Sequence, residues 1–288
     1  MIIILSGCPN VGNNPPSGDK EIKPPIDSIN KNLNISILLD LSDRINPDKY
    51  PNPSMEFYQR DAQYIKSVSH AFVQHLKSKK VILLNDKIGL YFSPEPSIPE
   101  INTISKELKV NFDRNSSKNS LTETEEKYKN LPIKIYESAI KDGKYVGSDI
   151  WRFFKDNVKN YCIEKDKRNI LVILTDGYLY HKNSEITDGN TTSFLTPQLV
   201  RQLKLNSTDW KNKIEKEGFG FIPATNDLND LEILVLGINP DEKNPFEGDV
   251  IELYWSNWFK EMNVSNYKIL KADLPSNLEK PITEFILN

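Results

Sequence analysis

Two of the most apolar stretches in this chain run straight into an aspartate, and that pattern limits the fold more than any other feature. Ile35, Ile37, Leu38 and Leu39 lead into Asp40, and the run 169–175 leads into Asp176-Gly177. A strand with no polar side needs cover on both faces, which is the situation of a central strand in a parallel sheet. The run 231–238 is of the same kind. Between the runs lie segments of helical period. Phe57, Tyr64, Ile65, Val68, Phe72 and Leu76 form one stripe over 55–76. Ile150, Trp151, Phe154, Val158 and Tyr161 form another in a helix starting at Ser148 or Asp149, and Ile251, Tyr254, Trp255, Trp258, Phe259 and Met262 a third. Shorter strands are predicted at 87–93, 108–112 and 267–270, and shorter helices at 197–205 and 278–287. The polar stretch 113–129 reads as an exposed connection turning helical near Thr124. This alternation predicts an α/β fold, Rossmann-like, with a mostly parallel central sheet flanked by helices on both faces. Ligands of such sheets bind at the carboxyl ends of the strands, where Asp40 and Asp176 stand.

The chain has 288 residues, 38% hydrophobic and 27% charged, which fits one large domain with a tail. A formal charge of −3 is too balanced for a polyanion-binding surface, so no nucleic-acid partner is expected. No apolar run approaches the roughly 20 residues of a spanning helix. His70, His75 and His181 show no metal-ligand spacing, and Cys162, in a helical pattern, reads as a small buried apolar residue.

Leu5-Ser6-Gly7-Cys8 resembles the lipobox of bacterial lipoproteins, in which the cysteine receives a diacylglyceryl group. Residues 1–8 then form the end of a truncated lipoprotein signal, since no positively charged segment precedes the apolar residues. Residues 9–31 are rich in Asn, Gly, Pro, Ser and Lys and read as a flexible tether, leaving 32–288 as the domain. The resemblance implies a protein of the bacterial cell envelope, periplasmic or at the outer membrane, anchored through lipid on Cys8.

Three motifs in order carry a second resemblance. Asp40-Leu41-Ser42-Asp43-Arg44 follows the first strand, Gly147-Ser148-Asp149-Ile150 opens a helix, and Thr175-Asp176-Gly177 follows a later strand. Together they resemble the metal-ion-dependent adhesion site of von Willebrand factor type A (vWA) domains, whose segments are Asp-x-Ser-x-Ser, a loop threonine and a later aspartate. Leu234-Val235-Leu236-Gly237-Ile238 is similar to that family's fifth strand. The resemblance implies a protein-binding domain with Mg2+ or Mn2+ held by Asp40, Ser42, Ser148 and Asp176. Oxygen donors suit such hard ions, and a partner's acidic side chain completes the shell.

The chain departs from the family at Arg44, which stands in place of the second serine. A guanidinium has no acceptor and repels a nearby cation. Arg44 either turns outward, pairs with Asp43, or replaces the metal by neutralising Asp40 and Asp176, which makes a metal-free scaffold the alternative. Asp43 and Arg44 are also candidates for partner contact. Ser148 has a second reading as a helix N-cap. Asp40 and Asp176 have one as loop caps. A phosphatase of the haloacid dehalogenase type also places an aspartate after its first strand, but it needs Asp-x-Asp where this chain has Asp40-x-Ser42, so no enzyme activity is expected. Thr187-Asp188-Gly189 lies in a polar loop and reads as a turn, Trp255 and Trp258 as core, and Tyr178 and Tyr180 as neighbours of the site.

Overall fold

The computed structural model describes residues 31–145 and 147–288. The lipobox with Cys8, and the tether up to residue 30, lie outside the described residues. Six strands form the main sheet: β1 (Asn32–Leu39), β2 (Asp86–Tyr91), β3 (Val110–Phe112), β4 (Lys167–Leu174), β8 (Leu231–Ile238) and β9 (Asn266–Lys271). Their order is β3-β2-β1-β4-β8-β9. Every neighbouring pair is parallel except β2 with β3, an antiparallel edge. The sheet is thus mostly parallel, as the apolar runs predict. A small second sheet holds β5 (Thr187–Asp188), β6 (Thr191–Thr192) and β7 (Gly220–Phe221). Thr187-Asp188-Gly189 leads into the turn between β5 and β6.

Two cores cover the two faces. Ile35, Ile37 and Leu39 of β1 face α1 (Phe57–Ser78), α3 (Lys118–Asp142) and α8 (Pro275–Leu287). A shorter helix, α2 (Pro99–Glu107), packs Ile101 and Ile104 into the same cluster. Leu38 points the other way, with Leu171 and Ile173 of β4, toward α4 (150–162) and α7 (Glu247–Glu261). Helices α5 (Pro197–Gln202) and α6 (Trp210–Glu217) complete that layer through Val200 and Ile214. A fully buried side chain of this size contributes about 1.5–3 kcal/mol. Trp255 and Trp258 are core residues, each nearly fully buried. Cys162 is buried too.

Helix α4 departs from the predicted stripe. It is α-helical over Ile150–Arg152, π-helical over Phe153–Asn157 and α-helical again over Val158–Cys162. The wider turn rotates the last turn of the helix, so Tyr161 is 43% exposed and Cys162 takes the inward position. The carbonyl groups at this helix end meet the polar residues of β1: Ser36 Oγ donates to Tyr161 O at 3.3 Å and Asn34 Nδ2 to Cys162 O at 3.0 Å. That explains Asn34 and Ser36 in an otherwise apolar strand. Helix α3 begins at Lys118, ahead of Thr124, capped by the Ser117 hydroxyl, which accepts from the Ser120 N–H.

Candidate functional site

Strand order reverses between β1 and β4, since the chain runs outward from β1 to β2 on one side and from β4 to β8 on the other. The carboxyl ends of these two strands diverge into loops on opposite sides and leave a crevice at that point. Asp40 and Asp176 sit there, with Ser42, Ser148 and Arg44, around a cavity of about 570 Å³. Tyr50, Phe57, Tyr178 and Tyr180 also line it. The residues predicted from the three motifs are therefore brought together.

Asp40 continues the sheet, donating its N–H to Leu174 O at 3.1 Å. Its Oδ1 accepts from the Ser42 N–H at 2.9 Å, and its Oδ2 from the Thr175 hydroxyl at 3.3 Å. Thr175 Oγ1 in turn accepts from the Gly177 N–H at 3.2 Å, so this fully buried hydroxyl ties the two strand ends together. Asp176 Oδ1 accepts from the Tyr178 N–H at 3.0 Å. Gly177 has φ +97°, and a Cβ there would lie 2.7 Å from Ile238 Cδ1 and from Ile251 Cγ2. The turn after Asp176 thus requires glycine for both conformation and space.

The Ser148 loop is fixed by the backbone. Gly147, at φ +81°, donates its N–H to Leu41 O at 3.4 Å. Asp149 donates its N–H to Ser93 O at 2.5 Å. The cap of α4 is Asp149, whose Oδ1 accepts from the Arg152 N–H at 3.1 Å. Ser148 is therefore not the cap; its residue is 6% exposed, it borders the cavity, and its Oγ has no hydrogen-bond partner. The other oxygen of Asp149 accepts from the Ser184 hydroxyl and faces His181 Nδ1 at 3.2 Å. These contacts fasten the loop that carries Tyr178 and Tyr180.

Arg44 is buried, 6% exposed, and turned inward. Its Nη2 donates to Asp61 Oδ2 at 2.5 Å and to Leu174 O at 3.2 Å, while Nε lies 3.4 Å from Asp40 Oδ2 without hydrogen-bond geometry. Pairing with Asp43 does not occur, because the Asp43 carboxylate pairs with Lys49 at the surface. Asp61 belongs to α1 and also accepts from the Tyr136 hydroxyl at 3.0 Å. Burial, then Asp61, push the Tyr136 hydroxyl far above its ordinary range, so it stays a donor. Burial disfavours the Arg44 charge, but Asp61 and Asp40 outweigh it and raise its pKa.

Asp61 and Tyr136 were not among the predicted site residues. The signal for Asp61 lay in α1, where an acid shares the stripe of Phe57, Tyr64 and Ile65 and so requires a buried partner. The cluster holds the carboxylates of Asp40, Asp61 and Asp176 against one guanidinium. Burial raises the Asp40 pKa, opposed by Arg44 and by the Ser42 hydrogen bonds. Burial and the nearby Asp40 charge raise Asp176 to about 7, opposed by Arg44 and the Tyr178 N–H. One guanidinium faces three carboxylates, so the cluster carries a negative excess. An oxygen-only donor set with a negative excess and an orphaned hydroxyl fits a hard divalent cation.

No family model matches the sequence, and no curated protein matches it. Several solved structures are similar to it. An aerotolerance-related membrane protein from Bacteroides fragilis is 14% identical over 88% of this chain and 98% of its own, with a TM-score of 0.35. BatB from Bacteroides thetaiotaomicron is 12% identical over 88% and 97%, with a TM-score of 0.39. The pilus adhesin SpaC from Lactobacillus rhamnosus GG is 10% identical over 89% of this chain and 30% of its own, with a TM-score of 0.41.

Proposed function

We propose that this chain is a vWA-like binding module of the bacterial cell envelope, engaging a partner protein's acidic side chain through Mg2+ or Mn2+. Asp40, Ser42, Ser148 and Asp176 would hold the ion. When bound, it supplies an electrophilic centre for a carboxylate. The observation that carries this reading is the Ser148 hydroxyl, buried at the cavity without a partner and not used as a helix cap. A buried hydroxyl left unpaired costs about 1–3 kcal/mol, so its retention at this place points to a ligand. Arg44 directs its hydrogen bonds to Asp61, Leu174 O and Asp40 O rather than to the Asp176 carboxylate.

The test is a thermal unfolding series with the metal. Millimolar Mg2+ or Mn2+ is expected to raise the Tm, by mass action on the folded state alone. Asp176→Asn and Ser148→Ala should abolish the rise. Absence of a shift for the native chain refutes the cation.

The Arg44 Nε to Asp40 Oδ2 approach at 3.4 Å favours a second reading, a metal-free scaffold in which Arg44 neutralises Asp40 and a proton rests on Asp176. Under that reading Arg44→Ser creates a metal response that the native chain lacks. Catalysis is not part of either reading, since the phosphatase alternative requires a carboxylate where Ser42 stands.

The envelope location rests on the Leu5–Cys8 lipobox resemblance. Among the described residues no helix is long and apolar enough to cross a membrane. Labelling of the chain with radioactive palmitate in a bacterial host, lost in Cys8→Ser, tests the anchor.

A further inference from the structure

The end of the sheet opposite the cavity carries a surface for which the binding reading has no use. Between α1 and β2 the chain makes a 3-10 turn, Val81–Leu83. Val81, Ile82 and Leu83 are 48%, 75% and 51% exposed. Isolated exposed aliphatic residues are ordinary, but three in succession on one turn form a patch.

The turn is clamped at both ends. Leu84 after it is buried. Before it, the buried Lys79 ammonium donates to Asn32 Oδ1 at 2.6 Å and to Asp86 Oδ2 at 2.7 Å. Asp86 Oδ1 accepts from the Leu33 N–H at 2.7 Å and faces His75 Nε2 at 3.2 Å. The start of β1, the start of β2 and the end of α1 are thus joined at one carboxylate. The aliphatic side chains are held outward beside the point where β1 begins. Lys80, at the start of the turn, is exposed, as is Lys77 in the last turn of α1, whose ammonium also lies 3.4 Å from Glu125 Oε2 at the surface.

We propose that the Val81–Leu83 turn, with Lys77 and Lys80, is a membrane-contact element that seats the domain on an anionic bilayer with the Asp40–Asp176 end turned away. Aliphatic side chains enter the boundary between headgroups and acyl chains, and lysines flanking them meet lipid phosphates. The two lysines favour an anionic lipid surface over an uncharged apolar partner, and the contact of Lys79, two residues before the turn, with Asn32 puts the turn beside the start of β1, on the tether side. A lipid on Cys8 holds the chain at the bilayer but does not orient the domain, and a second contact on the tether side does. The orientation rests on the lipid-anchor reading; the contact does not.

The test uses the full chain carrying Cys8→Ser, which removes lipidation, in co-sedimentation with vesicles of phosphatidylglycerol and phosphatidylcholine. Binding is expected, weaker in high salt and on pure phosphatidylcholine. Ile82→Asp should reduce it by about tenfold or more, because burial of that side chain is lost and a charge is added. Its thermal unfolding should match the parent, since residue 82 faces solvent. Equal binding by parent and Ile82→Asp overturns the proposal, as does no binding by the parent. A concentration-dependent dimer abolished by Ile82→Asp, without vesicle binding, also overturns it and assigns the turn to a second copy of the chain. Palmitate labelling of the native chain and the metal-induced Tm shift are read separately, so failure here is distinct from failure of the anchor or of the cation site.

Discussion

Asp61→Asn removes one negative charge from the cluster beneath the cavity, and its effect reports which carboxylate Arg44 belongs to. In the native chain Arg44 Nη2 donates to Asp61 at 2.5 Å, whereas its Nε stands 3.4 Å from Asp40. Both Arg44 and Asp61 are nearly inaccessible, at 6% and 2% exposure. Removing one partner of such a pair costs about 3–5 kcal/mol, most of it the unmatched charge left behind. The Tyr136 hydroxyl can still donate to the amide oxygen of an asparagine, which puts Asp61→Asn near the lower end of that range. Arg44→Ser leaves the Asp61 and Asp40 carboxylates buried side by side without their cation, and belongs near the upper end. The double variant removes both charges, so its loss should fall below the sum of the single losses by roughly 2–3 kcal/mol, the coupling of the pair. Urea unfolding of the four proteins at pH 7, with the transitions checked for coincidence by fluorescence and circular dichroism, measures that difference. Additive losses, with a coupling below about 0.5 kcal/mol, would refute the assignment of Arg44 to Asp61. A cation at the cavity would then have the Asp176 carboxylate, and not that of Asp40, to hold it.

Further outcomes follow from the same geometry. Without metal, Ser148→Ala should be neutral or stabilising by up to about 1 kcal/mol, because it removes an unpaired buried hydroxyl, while cancelling the metal-induced Tm rise. A raised carboxylate pKa means the folded state holds its proton more tightly than the unfolded chain. The contribution of Asp176 to stability is therefore full below about pH 4 and is lost as pH rises through about 7. Comparing Tm between pH 5 and 8 for the native chain and Asp176→Asn should show a smaller decline in the variant; an identical decline rules out Asp176 as its source. Gly177→Ala should destabilise the fold by about 2 kcal/mol or more in denaturant unfolding, through strain at φ +97° and the two 2.7 Å contacts. A variant as stable as the parent would mean that the turn relaxes freely.

The central strands and the acids at their ends were legible because burial on both faces leaves a continuous apolar signature, as in 169–175. Periodicity also placed α1 and α7. It failed where local geometry changed the period: a π-helical turn cannot be read from residue types, and it sent Tyr161 outward against the stripe of Trp151, Phe154 and Val158. Short elements such as α2 and α6 bury few residues, Ile101 and Ile104 or Ile214, too few to set a pattern against a polar background. The site was legible as motifs, but its charge balance was not. Asp61 comes from a helix and Tyr136 from another, far from the motifs in sequence, and only packing brings them to Arg44.

Asp149 has a mechanical meaning beyond capping its helix. One of its oxygens holds the first turn of α4, and the other receives Ser184 and faces His181, from the segment that carries Tyr178 and Tyr180 to the cavity rim. Its amide is meanwhile fastened to Ser93, two residues past the end of β2. The rim and the loop of Ser148 are thus joined at this carboxylate, while Leu179 pairs with Leu195 to hold the rim from the other side. A widening of the cavity mouth at Tyr180 therefore loads the residue next to Ser148, so the rim and the hydroxyl are mechanically coupled through a carboxylate that lines no part of the cavity itself.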